Sequence, residues 1–461
     1  MPLHSEISLD FGNMLSDRIG PEGVDPADID SLTEALRQAF KGLSDLRRLG
    51  QLPFRELPYQ EDQLDQVLSK ADEIRSRYEA VLLLGTGGSS LGAACLIESL
   101  AQNGGSEKMR LEIVEDLHPS GWKYLTSSLS PDKTFMIVVS KSGKTIETLA
   151  AFLFFRQWMI EALGEAAYRR SVLFITDPNR GPLREIAASE KIETLPVPPG
   201  VGGRYSVLST VGLLPAACVG IEVKSLLAGA RRMDERCEKQ EVWTNPAMML
   251  AALHYLISRK KGKTIRIVMP YHDRLRGYSS WFAQLWAESL GKRISLKGEE
   301  VRAGMTPVRA EGPIDQHSQL QLYLEGPRDK TVTFISVERS GATMKLPRAY
   351  ENHPELSILG GKDLDALLRM QRQATEAALC DAGCPNLTLG VKEITPDRVG
   401  QLLYLAEVET VFTGALYDIN PFDQPGVEGI KNYIRGLMGV SGFDKQRQAI
   451  DAVKKDRRYV I

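Results

Sequence analysis

The chain has 461 residues, of which 43% are hydrophobic and 25% are charged, and its formal net charge is −2. This length is too great for one compact domain and predicts two or three, while the composition is that of a soluble globular protein with a sizeable core. The nearly balanced charge argues against nucleic acid or an anionic membrane as a partner.

Cysteines, histidines and the first residues exclude further classes of protein. The five cysteines are scattered and odd in number, so no disulfide framework is expected. Cys380 and Cys384 lack the second pair that a zinc site needs, and the six histidines form no metal-binding spacing such as HExxH. The segment MPLHSEISLDFG lacks the regions of a secretory signal, and no apolar run approaches a membrane span. The expected compartment is therefore the cytoplasm.

In chain order, a helical segment comes first, and two alternations of strand and helix follow. Residues 1–75 show helical spacing through Leu32, Leu36 and Phe40, which Pro53 to Pro58 interrupts. Predicted strands of the first alternation lie at 81–84, 111–114, 135–139, 172–176 and about 193–197. The second alternation has predicted strands at 265–271, 331–337 and 386–389 and predicted helices at 279–290 and about 362–381. Helices close the chain from about residue 396 to residue 457.

Such an alternation is typical of parallel sheets that helices cover on both faces. The predicted fold class is α/β, with two three-layer α/β/α sandwich domains built on parallel sheets, plus helical N- and C-terminal segments. The expected boundaries are 1–75 for the helical N-terminal segment, 76–230 for the first sandwich, 245–395 for the second and 396–461 for the helical C-terminal segment.

A glycine-rich loop follows the first predicted strand of the first sheet, with the sequence GTGGSS at Gly85 to Ser90. It resembles a dinucleotide-binding fingerprint but fails it, because Ser90 stands at the third glycine position. The glycines allow a close approach to the backbone, and Ser89 and Ser90 are expected to cap the helix that starts near Leu91. The alternative interpretation is tight packing of helix on sheet, which taken alone is the better one.

A second loop, SKSGKT at Ser140 to Thr145, lies between a buried apolar strand and a predicted helix. Strand, polar turn and helix together direct backbone N–H groups and a helix dipole at an anion. The loop is not a P-loop, because Val138 stands where that motif needs a glycine. It therefore suits a phosphomonoester, although an ordinary polar turn is an equal alternative on this stretch alone.

Two stretches supply a cation and a carboxylate. Arg204 follows two glycines in VGGRYS, so its guanidinium can reach a site, although such an arginine is more often a surface or salt-bridge residue. Trp281, Leu285 and Glu288 share one face of a predicted helix that Gly291 ends. Desolvation and the negative helix end both favour the protonated carboxyl, which suits a group that takes and returns a carbon-bound proton. The alternative is a partly exposed Glu288 that pairs with Lys292.

Two more stretches carry polar groups at helix starts. His317 in DQHSQ lies near the predicted start of a helix, where the neutral imidazole is favoured, although a lone histidine is usually structural. Gln424, Glu428 and Lys431 in DQPGVEGIK share a helix face. The alternative there is an ion pair between Glu428 and Lys431 behind a capped helix start.

Six motifs occur in one order: GTGGSS, SKSGKTIET, VGGRYS, ESLGK, DQHSQ and PFDQPGVEGIK. In this order the chain closely resembles the glucose-6-phosphate isomerase family, from about Leu83 to Lys431. The resemblance implies two sugar-isomerase (SIS), flavodoxin-like domains and a homodimer with shared active sites. It also implies no metal, no cofactor, and the reversible interconversion of glucose 6-phosphate and fructose 6-phosphate through a cis-enediolate.

The resemblance also implies roles for single residues. Ser140, Lys141, Ser142 and Thr145 match the family's phosphate-binding loop, and Gly88 and Ser89 match the substrate end of its glycine loop. Glu288 matches the base that moves a proton between C1 and C2, and Arg204 matches the cation that stabilises the enediolate. His317 and Lys431 match the groups assigned to ring opening, with His317 acting in the partner's site, and Gln424 matches a substrate contact.

Two other functions remain open at this point. One is an isomerase that also accepts mannose 6-phosphate, which only the shape of the pocket would separate. The other is a catalytically silent SIS module that binds a sugar phosphate as a regulator. Such a regulator would keep the Ser140 to Thr145 loop but would not need Glu288, Arg204, His317 and Lys431 together.

Overall fold

The fold consists of two five-stranded sheets, a small two-stranded sheet and the helices around them. It is described here from a computed structural model that covers residues 7–101, 109–342, 344–453 and 457–460. The strands are β1 (Ser8–Asp10), β2 (Ala80–Leu84), β3 (Arg110–Val114), β4 (Thr134–Ser140), β5 (Val172–Thr176), β6 (Glu193–Pro196), β7 (Ile265–Pro270), β8 (Lys292–Ile294), β9 (Glu300–Ala303), β10 (Thr306–Arg309), β11 (Lys330–Arg339) and β12 (Asn386–Glu393).

Nineteen α-helices are found within those residues. They are α1 (Ser16–Ile19), α2 (Pro26–Ser31), α3 (Thr33–Arg48), α4 (Glu61–Arg77), α5 (Leu91–Leu100), α6 (Pro119–Ser128), α7 (Ile146–Leu163), α8 (Glu165–Tyr168), α9 (Pro182–Glu190), α10 (Thr210–Cys218), α11 (Val223–Cys237), α12 (Pro246–Lys261), α13 (Arg276–Leu290), α14 (Leu320–Glu325), α15 (Pro354–Ser357), α16 (Leu364–Asp381), α17 (Pro396–Leu416), α18 (Pro425–Leu437) and α19 (Asp444–Asp451). No helix of the described part is both long and apolar enough to cross a membrane.

The first sheet has the strand order β3-β2-β4-β5-β6, and all of its pairs are parallel. Each of its five strands lies where the sequence predicts one. The order reverses between β2 and β4, since the chain moves outward to β3 and then returns to the other side of β2. A reversal of this kind opens a crevice at the carboxyl ends of the two strands, which is where such sheets bind ligands.

The second sheet has the order β1-β12-β11-β7-β10, and β1 pairs antiparallel with β12. The predicted parallel sheet is present, and β1 adds to its edge an antiparallel strand that the sequence did not predict, at residues 8–10 of the segment expected to be helical. By pairing with β12, β1 covers backbone groups that an edge strand would otherwise leave open. The strands β8, β9 and β10 were not predicted either, because each has four residues or fewer and little apolar content.

The core follows from the alternation of side chains along the strands. In β2, Val81 and Leu83 face a large cluster shared by both sheets, whereas Leu82 faces a separate cluster on the outer side of the first sheet. The second sheet divides in the same way, with Ile335 in the shared cluster and Phe334 in an outer one. α17 lies in the shared layer and is buried from residue 398 to residue 414. The two sheets are thus joined through buried helices, and this joint places their loops against each other.

Candidate active site

Two of the predicted loops meet at the crevice where the first sheet reverses its order. β2 runs directly into the glycine-rich loop and β4 into the Ser140 to Thr145 loop. The two strands are neighbours, with Leu84 opposite Val138 in the register. The two loops therefore emerge side by side, as the sequence predicts for carboxyl ends of strands in one sheet.

The glycine-rich loop lies against the loop that carries Arg204. A Cβ atom on Gly88 would be 2.3 Å from the carbonyl carbon of Gly203, so only glycine fits there. The Ser206 hydroxyl donates a hydrogen bond of 3.3 Å to the Gly88 carbonyl oxygen. The expected packing role of the glycines is therefore present, since Gly88 allows the two loops to approach each other closely.

The predicted capping of α5 by a serine hydroxyl is wrong. Ser90 is the N-cap residue by position, but its hydroxyl does not cap the helix. Its hydroxyl lies within hydrogen-bond distance of the carboxylate of Glu115 and of the carbonyl of Gly87 instead. Ser89 is partly exposed and lies in that turn.

The Ser140 to Thr145 loop has the predicted strand–turn–helix layout, between the end of β4 and the start of α7. The hydroxyls of Ser140 and Thr145 are 3.1 Å apart and hydrogen-bonded, and Gly143 has a φ of +61°. Ser142 is exposed, and its hydroxyl accepts a hydrogen bond of 3.2 Å from the backbone N–H of Lys144. The exposed Ser142 and the partly exposed Thr145 thus place two hydroxyls at the start of a long helix, an arrangement suited to an anion, while Ser140 is buried beneath them.

Lys141 joins this loop to the Arg204 loop. Its ammonium donates a hydrogen bond of 2.8 Å to the carbonyl oxygen of Val201. Burial lowers the pKa of Lys141 below the ordinary lysine value, and Asp177 only partly opposes that change. The cation is thus held at the crevice with part of its hydration removed.

Arg204 is the centre of the site. It is 3% exposed, so the surface interpretation of this arginine is wrong. Its guanidinium donates five hydrogen bonds: to Ser289 Oγ at 2.7 Å, Glu288 Oε2 at 3.4 Å, Gln424 Oε1 at 2.7 Å, the Pro421 carbonyl at 2.7 Å and the Asp423 carbonyl at 3.1 Å. The guanidinium therefore ties α13 to the segment that precedes α18, and little freedom remains for it to turn away from the carboxylate.

Glu288 lies in the last turn of α13, which Gly291 ends as predicted. Trp281 and Leu285 on the same helix face are buried, whereas the side chain of Glu288 is 31% exposed. Gln284, one turn earlier, donates a hydrogen bond of 3.2 Å to Glu288 Oε1. The alternative pairing with Lys292 does not form, because the Lys292 ammonium donates to the carbonyls of Glu288 and Ser289 instead.

His317 is not brought to Glu288. It lies in a short 3-10 turn, Ile314–His317, and α14 begins only at Leu320, so the α-helix starts later than expected. Arg276 at the first residue of α13 binds Glu311 at 2.6 Å, and Gln316 donates to the hydroxyl of Tyr271 at 2.7 Å. Glu288 is twelve residues further along α13, or about 18 Å at 1.5 Å per residue. Contacts within the same chain thus hold the His317 turn near the start of α13, whereas Glu288 lies near the end of that helix.

Lys431 is likewise outside this cluster. It is partly exposed on α18 and binds Glu428 at 2.5 Å, the ion pair that the sequence offered as an alternative. Gln424 precedes α18 as its N-cap residue and reaches Arg204, whereas Lys431 lies seven residues later, about 10 Å along the helix. The structure therefore gathers Gly88, Ser89, the Ser140 to Thr145 loop, Arg204, Glu288 and Gln424, and leaves His317 and Lys431 apart.

Three polar residues of the cluster were missed from the sequence. Gln284 stands four residues before Glu288, a helical spacing that could have indicated it. Ser289 accepts hydrogen bonds from both Arg204 and Tyr205, but no local pattern marks it because its donors lie on a distant loop. Lys292 was considered only as a partner of the Glu288 side chain.

The arrangement provides an anion cradle, a carboxylate and a fixed guanidinium within one crevice. A carboxylate can move a proton, and the guanidinium 3.4 Å away can stabilise negative charge that develops beside it. The described residues contain no group of three or more His, Cys, Asp and Glu side chains that could hold a metal ion.

Comparisons with known proteins give one consistent result. A family model described as phosphoglucose isomerase matches residues 71–439. The glucose-6-phosphate isomerase of Carboxydothermus hydrogenoformans is 40% identical over 463 residues, which cover 99% of each chain. A crystal structure of a hypothetical protein from Thermus thermophilus is similar with a TM-score of 0.84 at 33% identity, covering 94% of this chain and 100% of that one. A glucose-6-phosphate isomerase from Chlamydia trachomatis, at 22% identity, shares the fold with a TM-score of 0.82 over 95% of this chain and 92% of that one.

Proposed function

The chain belongs to the phosphoglucose isomerase family and interconverts glucose 6-phosphate and fructose 6-phosphate, and we propose that Glu288 and Arg204 carry the proton transfer of that reaction. The enzyme is an aldose–ketose isomerase, and its reaction is a step of glycolysis and gluconeogenesis. The observation that supports our assignment is the 3.4 Å contact between the Arg204 guanidinium and the Glu288 carboxylate at the crevice of the first sheet.

In this proposal Glu288 takes the proton from C2 of the open-chain aldose and returns it to C1. Its partial exposure leaves the carboxylate accessible to a substrate, while Gln284 fixes one of its oxygens. The electron pair left on carbon moves to the carbonyl oxygen and gives an enediolate, whose negative charge Arg204 stabilises. The hydroxyl proton on O2 passes to O1, so that protonation of C1 leaves the carbonyl at C2. Because other hydrogen bonds already hold the guanidinium, little reorganisation is needed at the moment of reaction.

The phosphate of the substrate is assigned to the Ser140 to Thr145 loop. Hydroxyls of Ser140, Ser142 and Thr145, the N-terminus of α7 and the ammonium of Lys141 lie together there. Gly88 and Ser89 line the crevice between this loop and Arg204, and Gln424 contacts the sugar from the other side. A sugar phosphate bound in this way extends from the loop toward Glu288.

We further propose a homodimer in which His317 and Lys431 complete the site and open the sugar ring. Both residues lie beside large apolar side chains that this chain leaves exposed. Ile314 in the His317 turn is 57% exposed, and Ile430 next to Lys431 is 62% exposed. Exposed apolar side chains around a polar functional group are expected at an interface that a second copy covers.

The cytoplasm is the proposed compartment, since a phosphorylated sugar is charged and does not cross a membrane without a carrier. Domain boundaries at 76–230 and 245–395 stay a proposal, to which β1 adds a strand from outside the second range. Activity on mannose 6-phosphate is a second candidate that the same groups would support. Mannose 6-phosphate differs from glucose 6-phosphate only in the configuration at C2, the carbon from which Glu288 is proposed to take the proton.

A coupled assay with fructose 6-phosphate tests the activity, and exchange of the C2 hydrogen in deuterated water tests the role of Glu288. Glu288→Gln should lose isomerisation and exchange by about 10²–10⁴-fold while it still binds the sugar phosphate. Glu165→Gln, at an exposed glutamate of α8, is the matched control and should keep both. Continued deuterium incorporation in Glu288→Gln would show that another residue is the base. If the unaltered protein turned over no sugar phosphate, the catalytically silent regulator would be favoured.

A further inference from the structure

The end of α13 is held by a side chain that the proposed mechanism does not use. The last carbonyl groups of a helix have no partner within the helix and need one from outside. Here the Lys292 ammonium folds back onto the helix end and donates hydrogen bonds of 2.6 Å to the Glu288 carbonyl oxygen and 2.9 Å to the Ser289 carbonyl oxygen. Lys292 is only 7% exposed. A cation at this place also complements the negative end of the helix.

The same ammonium faces the segment before α18. Its nitrogen is 3.6 Å from a carboxylate oxygen of Asp423. Arg204 binds the neighbouring backbone, at the carbonyl oxygens of Pro421 and Asp423, and the Gln424 side chain. Two buried cations therefore connect the turn that carries Glu288 with the segment that carries Gln424.

We propose that Lys292 is a positioning residue for the isomerisation, whose ammonium fixes the last turn of α13, and with it the Glu288 carboxylate, against residues 421–424. The inference rests on the proposed role of Glu288 as the base. The three contacts of the Lys292 ammonium are all with the helix end and Asp423, so the proposed role acts through Glu288.

The charge of Lys292 is sensitive to pH. Burial is the largest influence and Arg204 adds to it, so the pKa of Lys292 is lowered to about 8, while Asp423 and Glu288 oppose the change. Arg204, Asp423 and Glu288 act on the ammonium from three different segments around it. Above pH 8 the neutral amine loses one N–H and its attraction to Asp423. The clamp is therefore complete below pH 8 and weakens as the pH rises through that value.

Three variants test the proposal by steady-state kinetics over a range of pH: Lys292→Met, Lys292→Arg and, as the control, Lys297→Met at an exposed lysine. Lys292→Met should lower kcat by about 10–100-fold, the effect of a small misplacement of a catalytic group, and change KM less than threefold. Lys297→Met should match the unaltered enzyme.

The pH dependence of kcat/KM separates positioning from general destabilisation. The unaltered enzyme should lose activity as the pH rises through about 8. In Lys292→Arg the guanidinium stays charged, so this alkaline loss should move to higher pH. Lys141, whose pKa is also lowered, is present in all variants and cannot produce a difference between them.

The proposal is overturned if Lys292→Met keeps kcat within twofold of the unaltered enzyme. It is equally overturned if Lys292→Arg shows an unchanged alkaline loss, and this second variant decides the matter should Lys292→Met fail to fold. Failure of the Glu288 assignment is distinguishable, because Glu288→Gln would then retain deuterium exchange whatever the Lys292 variants show.

Discussion

Arg204 and His317 are assigned to the same reaction, but the chain holds them in opposite ways. Arg204 is buried and fixed by five hydrogen bonds to two separate segments, the end of α13 and residues 421–424. His317 is exposed, and no hydrogen bond of its side chain is found in the part of the chain that the structure describes. The region around Arg204 is thus complete within one chain, whereas the region around His317 presents its functional group outward.

This difference indicates that one chain supplies the groups for proton transfer and that its proposed partner supplies His317. Groups for proton transfer between carbons need fixed geometry, and burial with full hydrogen bonding provides it. Groups that an interface will cover must be exposed in the isolated chain, and they lie among exposed apolar side chains such as Ile314 and Leu322. The predictions below test this division, starting with the largest effect.

Mixing two inactive variants tests whether His317 acts in the partner's site. His317→Ala should lower activity by about 10²–10⁴-fold, as expected for loss of an acid–base group. Glu288→Gln should be similarly inactive. When the two chains are unfolded and refolded together, half of the dimers are mixed, and each mixed dimer has one intact site. Activity should therefore return to roughly a quarter of the unaltered level.

His118→Ala, at an exposed histidine of the first sandwich, is the matched control and should be fully active alone. If both groups come from one chain, every site carries a lesion and mixing restores nothing. Recovery indistinguishable from zero, with mixed dimers shown to form, would end the idea of a shared site.

Arg204→Lys tests the fixed side of the comparison. Lysine keeps the charge but cannot reproduce the planar guanidinium that reaches Ser289, Glu288 and the carbonyl of Pro421 together. We expect kcat to fall by about 10²–10³-fold, as when one donor to a developing oxyanion is lost, with a smaller change in KM. An active Arg204→Lys with unaltered kcat would show that charge alone suffices and that the fixed geometry is unimportant.

The anion cradle is tested by the double variant Ser142→Ala/Thr145→Ala. Each hydroxyl donating to a phosphate oxygen contributes about 1.5 kcal/mol, the lower end for charge-assisted bonds, because both already have partners in the free protein. Binding of fructose 6-phosphate should weaken roughly 100-fold by isothermal titration calorimetry. Thr126→Ala/Ser127→Ala removes two exposed hydroxyls of α6 and should leave affinity unchanged. Equal affinity in both double variants would rule the loop out.

The smallest effect is expected at the ion pair on α18. Glu428→Gln removes the partner of Lys431 and should lower the free energy of unfolding by only about 0.2–0.5 kcal/mol, as for exposed pairs one turn apart on a helix. Lys431→Met should do the same to stability yet lower kcat at least about tenfold if Lys431 acts on the substrate. Identical kcat values in the two variants would make Lys431 a structural residue only.

Much of the fold and of the fixed side of the site could be predicted from the sequence. Apolar strands, glycine-rich turns and the helical spacing from Trp281 to Glu288 are local patterns, and local physical chemistry produces the structure they predict. The hydrogen bonds of Arg204 could not be predicted in the same way, because its acceptors lie 84 to 220 positions away along the chain. Such contacts depend on how two sheets are joined, which no local pattern contains.

The α-helix after His317 starts later than predicted for a related reason. Its sequence context resembles a helix start, but Gln316 binds Tyr271 and Thr375 from other elements. These tertiary contacts favour a short 3-10 turn and postpone the helix until Leu320. The helix propensity of the residues around His317 is thus overridden by these tertiary contacts.

The antiparallel strand β1 has a consequence for the order of events during synthesis. Its residue Ser8 pairs with Gly390, 382 positions later. At roughly 5–20 residues per second, a ribosome makes the intervening chain in about 20–80 s. During this time β1 is unpaired, but it has only three residues and is mostly exposed and polar, so it offers little for another chain to bind. The longer strand β12 is not left unpaired in this way, because β1 has already been synthesised when β12 leaves the ribosome.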